Sequence, residues 1–387
     1  MHKIFKSAMS LLCAAAAISV GGHAFAQSVI KVGIIGDFTG PFATVGESYR
    51  QGIQAYLAKN GDTVGGQKLE LIYRDAAGKP GDAARLAQEL VVKDGVKIIG
   101  GLTLSSAVAA VAPVMTDAKT PFTSFSAAAP GLAKQSPYFV RSGQDVRASG
   151  RTAAQSALKN GKKRAYTSVA DYVAGQQAEE AFAIEFKAGG GEIVGQDRIP
   201  LSTVDYTPYA ERVANANPDA LQIFVPTGAP AVSFLQALGS RGMMKKIMVI
   251  GTGAEAEDND LRLFNDTVEG YYSVMYMTAQ LDTPLNKWFK DYLVKTFGAD
   301  AQPNPHSVGA YDGMRVIAKM IEGQSGKEFS SDAAIKSVIG YSFEGLRGPM
   351  KINEDRELTQ NYYLRQVKKV DGKLQNVLLD TLANIKP

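Results

Sequence analysis

Short runs of β-branched and apolar residues alternate with longer stretches of helical period along most of the chain. In the first part of this pattern, strands are predicted at residues 29–35, 68–74, 96–100 and 121–124. The helices predicted between them cover residues 46–59, 82–93 and 105–115. Strands that alternate with helices are typical of a parallel sheet with helices on both faces, so the chain is predicted to belong to the α/β class.

The same alternation starts again after residue 141 and continues to residue 250. Its predicted helices cover residues 149–159, 175–187, 206–214 and 229–239. Its predicted strands cover residues 164–169, 192–199, 220–225 and 247–250. Because the two successive units have similar lengths, they predict two similar lobes.

The last part of the chain does not complete a third unit. Residues 285–297, 307–322 and 331–339 have helical patterns, and Asp371-Gly372 is a strong hairpin signal between two strand patterns. The stretches 268–278 and 345–349 are interpreted as returns between the lobes. Three crossings in total predict a hinge of several chain segments, which suits rigid-body closure about a cleft.

The first 26 residues have the pattern of a secretory signal peptide. A basic start precedes an apolar stretch at residues 8–20, and Ala24-Phe25-Ala26 provides the small residues of a cleavage site. A membrane anchor is the alternative, but about 20 apolar residues are needed to span a bilayer. A lipoprotein signal is not indicated, since no small residue precedes Cys13. The mature protein is therefore expected in the periplasm.

Composition and charge exclude several classes of function. The chain is 45% hydrophobic and 21% charged, as globular proteins are. Cleavage of the leader removes two lysines from a formal net charge of +4, which leaves too little positive charge to indicate nucleic acid or a membrane surface. Cleavage also leaves no cysteine and a single histidine, His306. A metal site rich in histidine and cysteine is therefore excluded, and no cofactor is expected.

Recognised catalytic motifs are missing from the sequence. The glycines after the first strand do not have the G-x-G-x-x-G spacing, and neither residues 65–68 nor 100–103 match a phosphate loop. Gly46-Glu47-Ser48 begins like a nucleophile elbow, but Arg50 stands where the last glycine belongs. An enzyme is therefore not expected. A periplasmic hydrolase that uses Ser48 or scattered carboxylates is the alternative from another class.

The loop after the strand at residues 96–100 is the strongest candidate for a binding site. It contains two glycines and several hydroxyl groups, and an alanine-rich helix follows at Ser105. Ligands of doubly wound sheets lie at the carboxyl ends of the strands, where free N–H groups at a helix N-terminus favour a carboxylate. Ser105 either adds its hydroxyl to that site or only caps its own helix. Residues 124–130 form a second, weaker candidate.

A set of short motifs runs in a fixed order over nearly the whole mature chain. The motifs are Ile30-Lys31-Val32-Gly33, Thr39-Gly40-Pro41, Gly65-Gly66-Gln67-Lys68-Leu69, Asp75, Ile99-Gly100-Gly101, Ser126-Ala127-Ala128-Ala129-Pro130, Tyr138-Phe139-Val140-Arg141, Asp171-Tyr172 and Ala310-Tyr311-Asp312. This ordered set resembles the type I periplasmic solute-binding proteins of ABC importers, in their branched-chain amino-acid-binding branch. The resemblance implies two Rossmann-like lobes with parallel central sheets, a three-segment hinge, and closure on a small ligand.

The resemblance also implies partners, domain boundaries and site residues. A monomer that delivers its ligand to permease subunits is expected, with residues 27–143 and 275–347 in lobe 1 and residues 144–274 and 348–387 in lobe 2. By position, Ser105 matches the family serine that holds the ligand carboxylate. Ser126 and Ala128 match positions beside the α-amino and carboxylate groups, and Tyr172 matches a tyrosine of lobe 2 that closes on the ligand.

Several positions depart from the amino-acid binders of this family. Val45 and Thr227 stand where tyrosines are expected, Ala128 replaces the usual threonine, and Gly253 falls on the acidic position that binds the ammonium group. Burying an ammonium group without a counter-charge costs several kcal/mol. An aromatic or related organic acid is therefore the expected ligand. A branched-chain or other neutral amino acid is the alternative, if Glu255 reaches the ammonium group.

The remaining candidates are aromatic residues and His306, which the resemblance places at the far end of such a pocket. Phe42, Tyr172 and Tyr276 provide apolar and stacking surface. His306 either bonds a ring hydroxyl or second carbonyl, or is a surface histidine after the polar loop 302–305. The complete set of predicted ligand-binding residues is Phe42, Leu104, Ser105, Ser126, Ala127, Ala128, Tyr172, Thr227, Gly253, Tyr276 and His306.

Overall fold

Two sheets organise the computed structural model, which describes residues 28–324 and 328–387; the predicted signal peptide lies outside these ranges. The first sheet has the strand order β2-β3-β1-β4-β5-β6. Its strands are β1 (Val29–Gly36), β2 (Thr63–Val64), β3 (Gln67–Asp75), β4 (Ile98–Gly101), β5 (Phe122–Ser124) and β6 (Phe139–Arg141). All neighbours in it are parallel except β2 and β3.

The second sheet combines a parallel half with an antiparallel half. Its strands are β7 (Arg164–Ala170), β8 (Glu192–Ile199), β9 (Ala220–Phe224), β10 (Met248–Gly251), β11 (Tyr272–Met275), β12 (Ser342–Gly345), β13 (Gly348–Ile352), β14 (Leu358–Val370) and β15 (Lys373–Ile385). The order is β12-β13-β14-β11-β10-β9-β7-β8, and β15 pairs with β14. Strands β7 to β11 are parallel, whereas β14 is antiparallel to β11, β13 and β15.

Helices cover both faces of both sheets. They are α1 (Ala43–Asn60), α2 (Pro80–Val92), α3 (Ser105–Asp117), α4 (Val146–Lys159), α5 (Val173–Ala188), α6 (Thr207–Ala216), α7 (Ala229–Ser240), α8 (Met243–Lys246), α9 (Pro284–Phe297), α10 (Pro305–Glu322) and α11 (Ser331–Val338). Within residues 28–324 and 328–387, none of the helices combines the length and apolar character that a membrane span requires.

Neighbouring strand residues show which helix lies on which face. In the first sheet, the backbone of Gly33 lies against Leu90 of α2, while that of Gly100 lies against Ile317 of α10. Gly100 pairs with Ile34, the residue after Gly33, and successive strand residues point to opposite faces. Helices α2 and α10 therefore lie on opposite sides. The predicted α/β class with two doubly wound lobes is confirmed, although both sheets are mixed.

Tight turns connect antiparallel strands of the second sheet, and the sequence predicted one of these turns. Asp371 and Gly372 join β14 to β15, and both have positive φ angles, 48° and 77°. Asp and Gly tolerate this conformation, so the two strands pair directly. Residues 345–349, interpreted as a return between lobes, instead form the tight turn of the β12–β13 hairpin.

The chain passes between the lobes at residues 142–145, at residues 276–283, and after α11. Arg347, which is fully buried, contacts the first two of these passages. Its Nη2 donates to the Ser142 carbonyl at 2.7 Å, and its guanidinium lies 5.5 Å from the centre of the Tyr276 ring. Its Nη1 donates to Gln360 of β14 at 2.9 Å, and its Nε pairs with Asp312 of α10 at 2.8 Å. One side chain thus links two of the hinge segments with α10 and β14.

Candidate ligand-binding cleft

A cavity of about 510 Å³ opens where the carboxyl ends of strands from both sheets meet. Its walls come from the segments that follow β4, β5 and β6 of the first sheet and β7, β9 and β10 of the second. This is the position where doubly wound sheets bind ligands. The lining residues are Leu104, Ser105, Ser106, Ala128, Ala129, Gln144, Val146, Ser149, Tyr172, Val173, Ala174, Gln177, Phe224, Thr252 and Ala254.

The loop between β4 and α3 has a strained backbone. Leu102 adopts a φ of 56°, which is unusual for a bulky residue. Its N–H donates to the Ile35 carbonyl at 2.7 Å, and its own carbonyl accepts from the Ser124 hydroxyl at 2.9 Å. These two bonds hold the loop in a conformation that turns the start of α3 toward the cavity. Such strain is typical of functional sites.

Ser105 is the first residue of α3 and not its N-cap. The N-cap is Leu104, whose side chain cannot cap the helix. The Ser105 hydroxyl oxygen accepts a hydrogen bond from the Ala129 N–H at 3.1 Å. Because a hydroxyl oxygen can accept and still donate its hydrogen, Ser105 keeps a donor for a ligand.

The start of α3 provides further donors in the cavity wall. In the part of the chain that the structure describes, the N–H groups of Ser105 and Ser106 have no acceptor. The first N–H groups of a helix lack partners within it and carry partial positive charge. Together with the Ser105 hydroxyl, they form a site suited to a carboxylate, without a charged side chain.

Arg141 positions the opposite wall of this site from behind. It is buried, and it pairs with Glu357 across the hinge. Its guanidinium donates to the carbonyls of Ala127 at 3.0 Å and Ala129 at 2.5 Å. It also donates to the Gln144 carbonyl at 2.7 Å. Arg141 is therefore a structural residue that fixes the loop whose Ala129 N–H binds Ser105.

The second lobe contributes an aromatic wall. Tyr172 immediately precedes α5, and its ring lies 6.0 Å from that of Phe224 at the end of β9. Burial, and secondarily the charge of Glu255, raise the pKa of Tyr172 to about 12, so its hydroxyl stays protonated. Two aromatic rings and a phenolic donor can stack on and bond a flat ligand.

Glu255 lies behind the cavity wall. Its carboxylate accepts from the Gly253 N–H at 2.9 Å, from the Thr252 hydroxyl at 3.1 Å and from the Tyr271 hydroxyl at 3.1 Å. It is 2% exposed, and burial raises its pKa. The acid that was expected to reach an ammonium group is thus engaged by three internal donors.

Gly253 has no room for the acidic side chain that amino-acid binders are expected to carry there. Its φ is 95°, and a Cβ atom on it would lie 2.6 Å from Nη2 of the buried Arg365. Residues other than glycine rarely adopt this backbone conformation. A guanidinium group therefore occupies the space next to position 253.

A second polar group lies beside the cavity in the first lobe. The Tyr49 hydroxyl donates to Ser126 at 2.8 Å, and the Ser126 Oγ lies 2.9 Å from Nδ1 of His306. Burial lowers the pKa of His306 to about 4, which keeps the imidazole neutral at neutral pH. His306 is half-buried, and its ring is bonded within this group, so it is not a free surface side chain. Tyr276 lies nearby and donates to the Pro305 carbonyl at 3.4 Å.

The similarity of the chain to known proteins agrees with this geometry. Residues 29–373 match the family described as periplasmic binding protein. The chain belongs to this family. Leu/Ile/Val-binding protein homolog 6 of Brucella melitensis is 36% identical over 363 residues, which are 93% of each chain. The resemblance to the branched-chain amino-acid-binding branch is therefore confirmed.

Two solved solute-binding proteins of ABC transporters are similar to this chain over nearly its whole length. A solute-binding protein of an ABC transporter from Rhodopseudomonas palustris HaA2, in complex with p-hydroxybenzoic acid, is 37% identical with a TM-score of 0.85; the match covers 93% of this chain and 98% of that chain. Its counterpart from strain BisB5, in complex with 3,4-dihydroxybenzoic acid, is 36% identical with a TM-score of 0.83; the match covers 92% and 98%.

The structure brings some of the predicted residues of this periplasmic binding protein together in the cavity wall, namely Leu104, Ser105, Ala128 and Tyr172. Ala127 is buried behind that wall, and Ser126, Tyr276 and His306 form the polar group beside it. Phe42 packs near Gly78, Thr227 is exposed, and Gly253 is covered by Arg365. These three are not among the lining residues.

Sequence reasoning missed several lining residues of this periplasmic binding protein, namely Ser106, Ala129, Gln144, Val146, Ser149, Val173, Ala174, Gln177, Phe224, Thr252 and Ala254. One signal was present, because all of them except Phe224, the last residue of β9, lie within eight residues after the carboxyl end of a strand. Which of these residues face the cavity depends on how far each loop continues before its helix begins.

Proposed function

We propose that this periplasmic binding protein is the solute receptor of an ABC importer and binds an aromatic carboxylic acid between its lobes. The observation that carries the proposal is the charge of the cavity wall. In the part of the chain that the structure describes, its lining contains no Asp, Glu, Lys, Arg or His side chain. Its donors are the N–H groups and hydroxyl of the α3 start, which suit a carboxylate.

The same wall disfavours a zwitterionic amino acid. An ammonium group needs acceptors or a counter-charge, and Glu255 is engaged by Thr252, Gly253 and Tyr271 behind the wall. Leaving the ammonium group buried and unpaired costs several kcal/mol. A flat ring between Tyr172 and Phe224 has no such requirement. Similar proteins bound to p-hydroxybenzoic and 3,4-dihydroxybenzoic acid support this ligand class.

The proposal includes a cellular setting. The leader of residues 1–26 directs the chain to the periplasm, where it is cleaved after Ala26. There the protein acts as a monomer, closes on its ligand about the hinge at Arg347, and delivers it to permease subunits. The family and the ABC-transporter relatives support this setting.

A branched-chain or other neutral amino acid is the second candidate ligand. The name of the Brucella relative, a Leu/Ile/Val-binding protein homolog, favours it. This ligand would require Glu255 to exchange its internal donors for the ammonium group. The two candidates therefore differ in whether an acid enters the cleft.

A binding panel separates the candidates. The mature protein is unfolded in guanidinium and refolded to remove carried-over ligand, then titrated with 4-hydroxybenzoate, 3,4-dihydroxybenzoate, benzoate, leucine and valine. An aromatic acid at 100 times its Kd should stabilise the folded state by about 2.7 kcal/mol and raise the melting temperature. Stabilisation by leucine or valine, with none by the aromatic acids, would refute the proposed ligand class. Turnover of a bound acid would favour the hydrolase.

A further inference from the structure

Gln177 is a polar residue of the cavity wall that the proposed carboxylate site does not use. It lies near the start of α5, on the second lobe, whereas Ser105 lines the cavity from the first lobe. Its carbonyl oxygen Oε1 is buried and, within the described ranges, has no hydrogen-bond partner. A buried amide oxygen without a donor is unfavourable, and native proteins rarely leave one so.

Two other polar side chains of the second-lobe wall differ from Gln177. The Thr252 hydroxyl donates to Glu255 and is directed behind the wall. Tyr172 stays protonated and offers a phenolic donor. Gln177 contributes an acceptor, and rotation about its last side-chain bond can present either the oxygen or the amide nitrogen.

We propose that Gln177 bonds a hydroxyl group on the ring of the bound acid and gives the cleft its preference for hydroxylated aromatic acids. The inference rests on the proposed function. An acid whose carboxylate lies at Ser105 presents the opposite end of its ring to the second lobe. A phenolic hydroxyl can donate to the Gln177 oxygen and accept from Tyr172, whereas an unsubstituted ring leaves the amide without a partner. A site built for a hydroxyl group rejects the analogue that lacks it.

The test combines one substitution with two ligands. Gln177→Met removes the amide at nearly constant volume, and 4-hydroxybenzoate and benzoate differ by a single hydroxyl group. Calorimetry should show that Gln177→Met weakens 4-hydroxybenzoate binding by about 10- to 100-fold and changes benzoate binding less than about threefold. Gln176→Met is the matched control, since the amide of Gln176 bonds Asp171 at 2.9 Å and does not line the cavity.

Each outcome bears on the inference. Equal losses for both acids, or no loss for either, would overturn the role of Gln177 while leaving the proposed function intact. Wild-type protein that binds no aromatic acid would overturn the proposed function and this inference together. Circular dichroism and melting temperature without ligand verify that Gln177→Met and Gln176→Met are folded, so that losses of affinity reflect the cleft.

Discussion

At the scale of single residues, the function of a side chain depends on which of its hydrogen-bonding capacities remain open. Ser105 accepts from Ala129 and keeps its hydrogen for a ligand. Glu255 differs from Ser105, because internal donors already occupy its carboxylate and leave it unavailable to a ligand. Two residues that the sequence marked as candidates for opposite charges of a ligand are thereby separated into one that faces it and one that does not.

Replacing Ser105 tests the carboxylate site. We expect Ser105→Ala to weaken binding of an aromatic acid by about 1–3 kcal/mol, because a hydrogen bond to a charged group is lost. Titration calorimetry measures the change. Ser240→Ala serves as the control, since that hydroxyl bonds the Ala237 carbonyl on an exposed part of α7. If the affinity is unchanged in both variants, Ser105 does not bind the ligand and only supports the loop.

The dependence of stability on pH reports on two titratable groups whose pKa values are shifted. Burial, and secondarily the charge of Asp260, raise the pKa of Glu257 to about 8. The folded state then holds a proton that the unfolded chain releases above its usual pKa of 4.5, so the free energy of unfolding falls as pH rises through this interval. His306, with its pKa lowered to about 4, instead reduces stability as pH falls from 6.5 toward 4.

Comparing Glu257→Gln with the wild type isolates the effect of Glu257, because the contribution of His306, which comes from its usual pKa of 6.5 in the unfolded chain, is the same in both proteins. We expect Glu257→Gln to make the fall of unfolding free energy between pH 6.5 and 8 shallower than in the wild type. Urea unfolding at pH 6.5, 7.25 and 8 measures the slope. Glu354→Gln, at an exposed position, should leave the slope as it is. A wild-type slope in Glu257→Gln would show that this carboxyl ionises normally.

At the scale of elements, the caps of the helices decide what their first turns can do. Helix α3 has no side-chain cap, so its N–H groups are open to the cavity. The N-terminus of helix α10 is capped instead, because the Asn304 side chain accepts hydrogen bonds from the N–H groups of His306 and Ser307, each at 3.0 Å. This capping box also orients His306 toward Ser126. A capped and an uncapped N-terminus therefore have different functions in the same lobe.

The capping box can be tested independently of the ligand. We expect Asn304→Ala to lower the free energy of unfolding by about 1–2 kcal/mol, because two N–H groups at the start of α10 lose their acceptor. Asn304→Asp keeps an acceptor and should lose much less. Urea unfolding of the three proteins gives the comparison. Equal losses in both variants would show that the cap is not the source of the effect.

At the scale of the whole molecule, the two lobes are joined by buried charges at the hinge. Arg347 bonds Asp312, Gln360 and Ser142, and Arg141 pairs with Glu357. Neither arginine is exposed, so breaking either pair would leave a buried charge unpaired. These buried ion pairs stabilise the centre of the hinge, whereas the loops that line the cleft remain accessible to the ligand.

Removing the central arginine should therefore be costly. We expect Arg347→Met to lower the free energy of unfolding by about 3–5 kcal/mol, because Asp312 remains buried without its partner. Arg85→Met removes an exposed arginine that pairs with Asp82 and Glu89, and should cost at most about 1 kcal/mol. Urea unfolding measures both. A loss at Arg347 as small as that at Arg85 would contradict the central role of this pair.

The sequence by itself determined the class of fold and the position of the cleft. The spacing of hydrophobic residues distinguishes strands from helices within short stretches of sequence. The carboxyl ends of parallel strands meet at one edge of the sheet, whichever loops follow them. The loop around Ser105 and the Asp371-Gly372 turn were predicted on such local grounds, and each depends on residues that are neighbours along the chain. Tyr172 was predicted from the family resemblance.

Tertiary structure decided which of those candidates face the cavity. The Tyr271 hydroxyl bonds the Glu255 carboxylate away from the cavity, and Arg365 covers Gly253. Gln177 lines the wall from α5, a helix that local sequence patterns locate without giving its orientation. The donor Tyr271 is 16 residues from Glu255 along the chain, and the cation Arg365 is more than a hundred residues from Gly253. Hydrogen-bond partners and burial are properties of neighbours in space, and periodicity along a sequence carries no information about them.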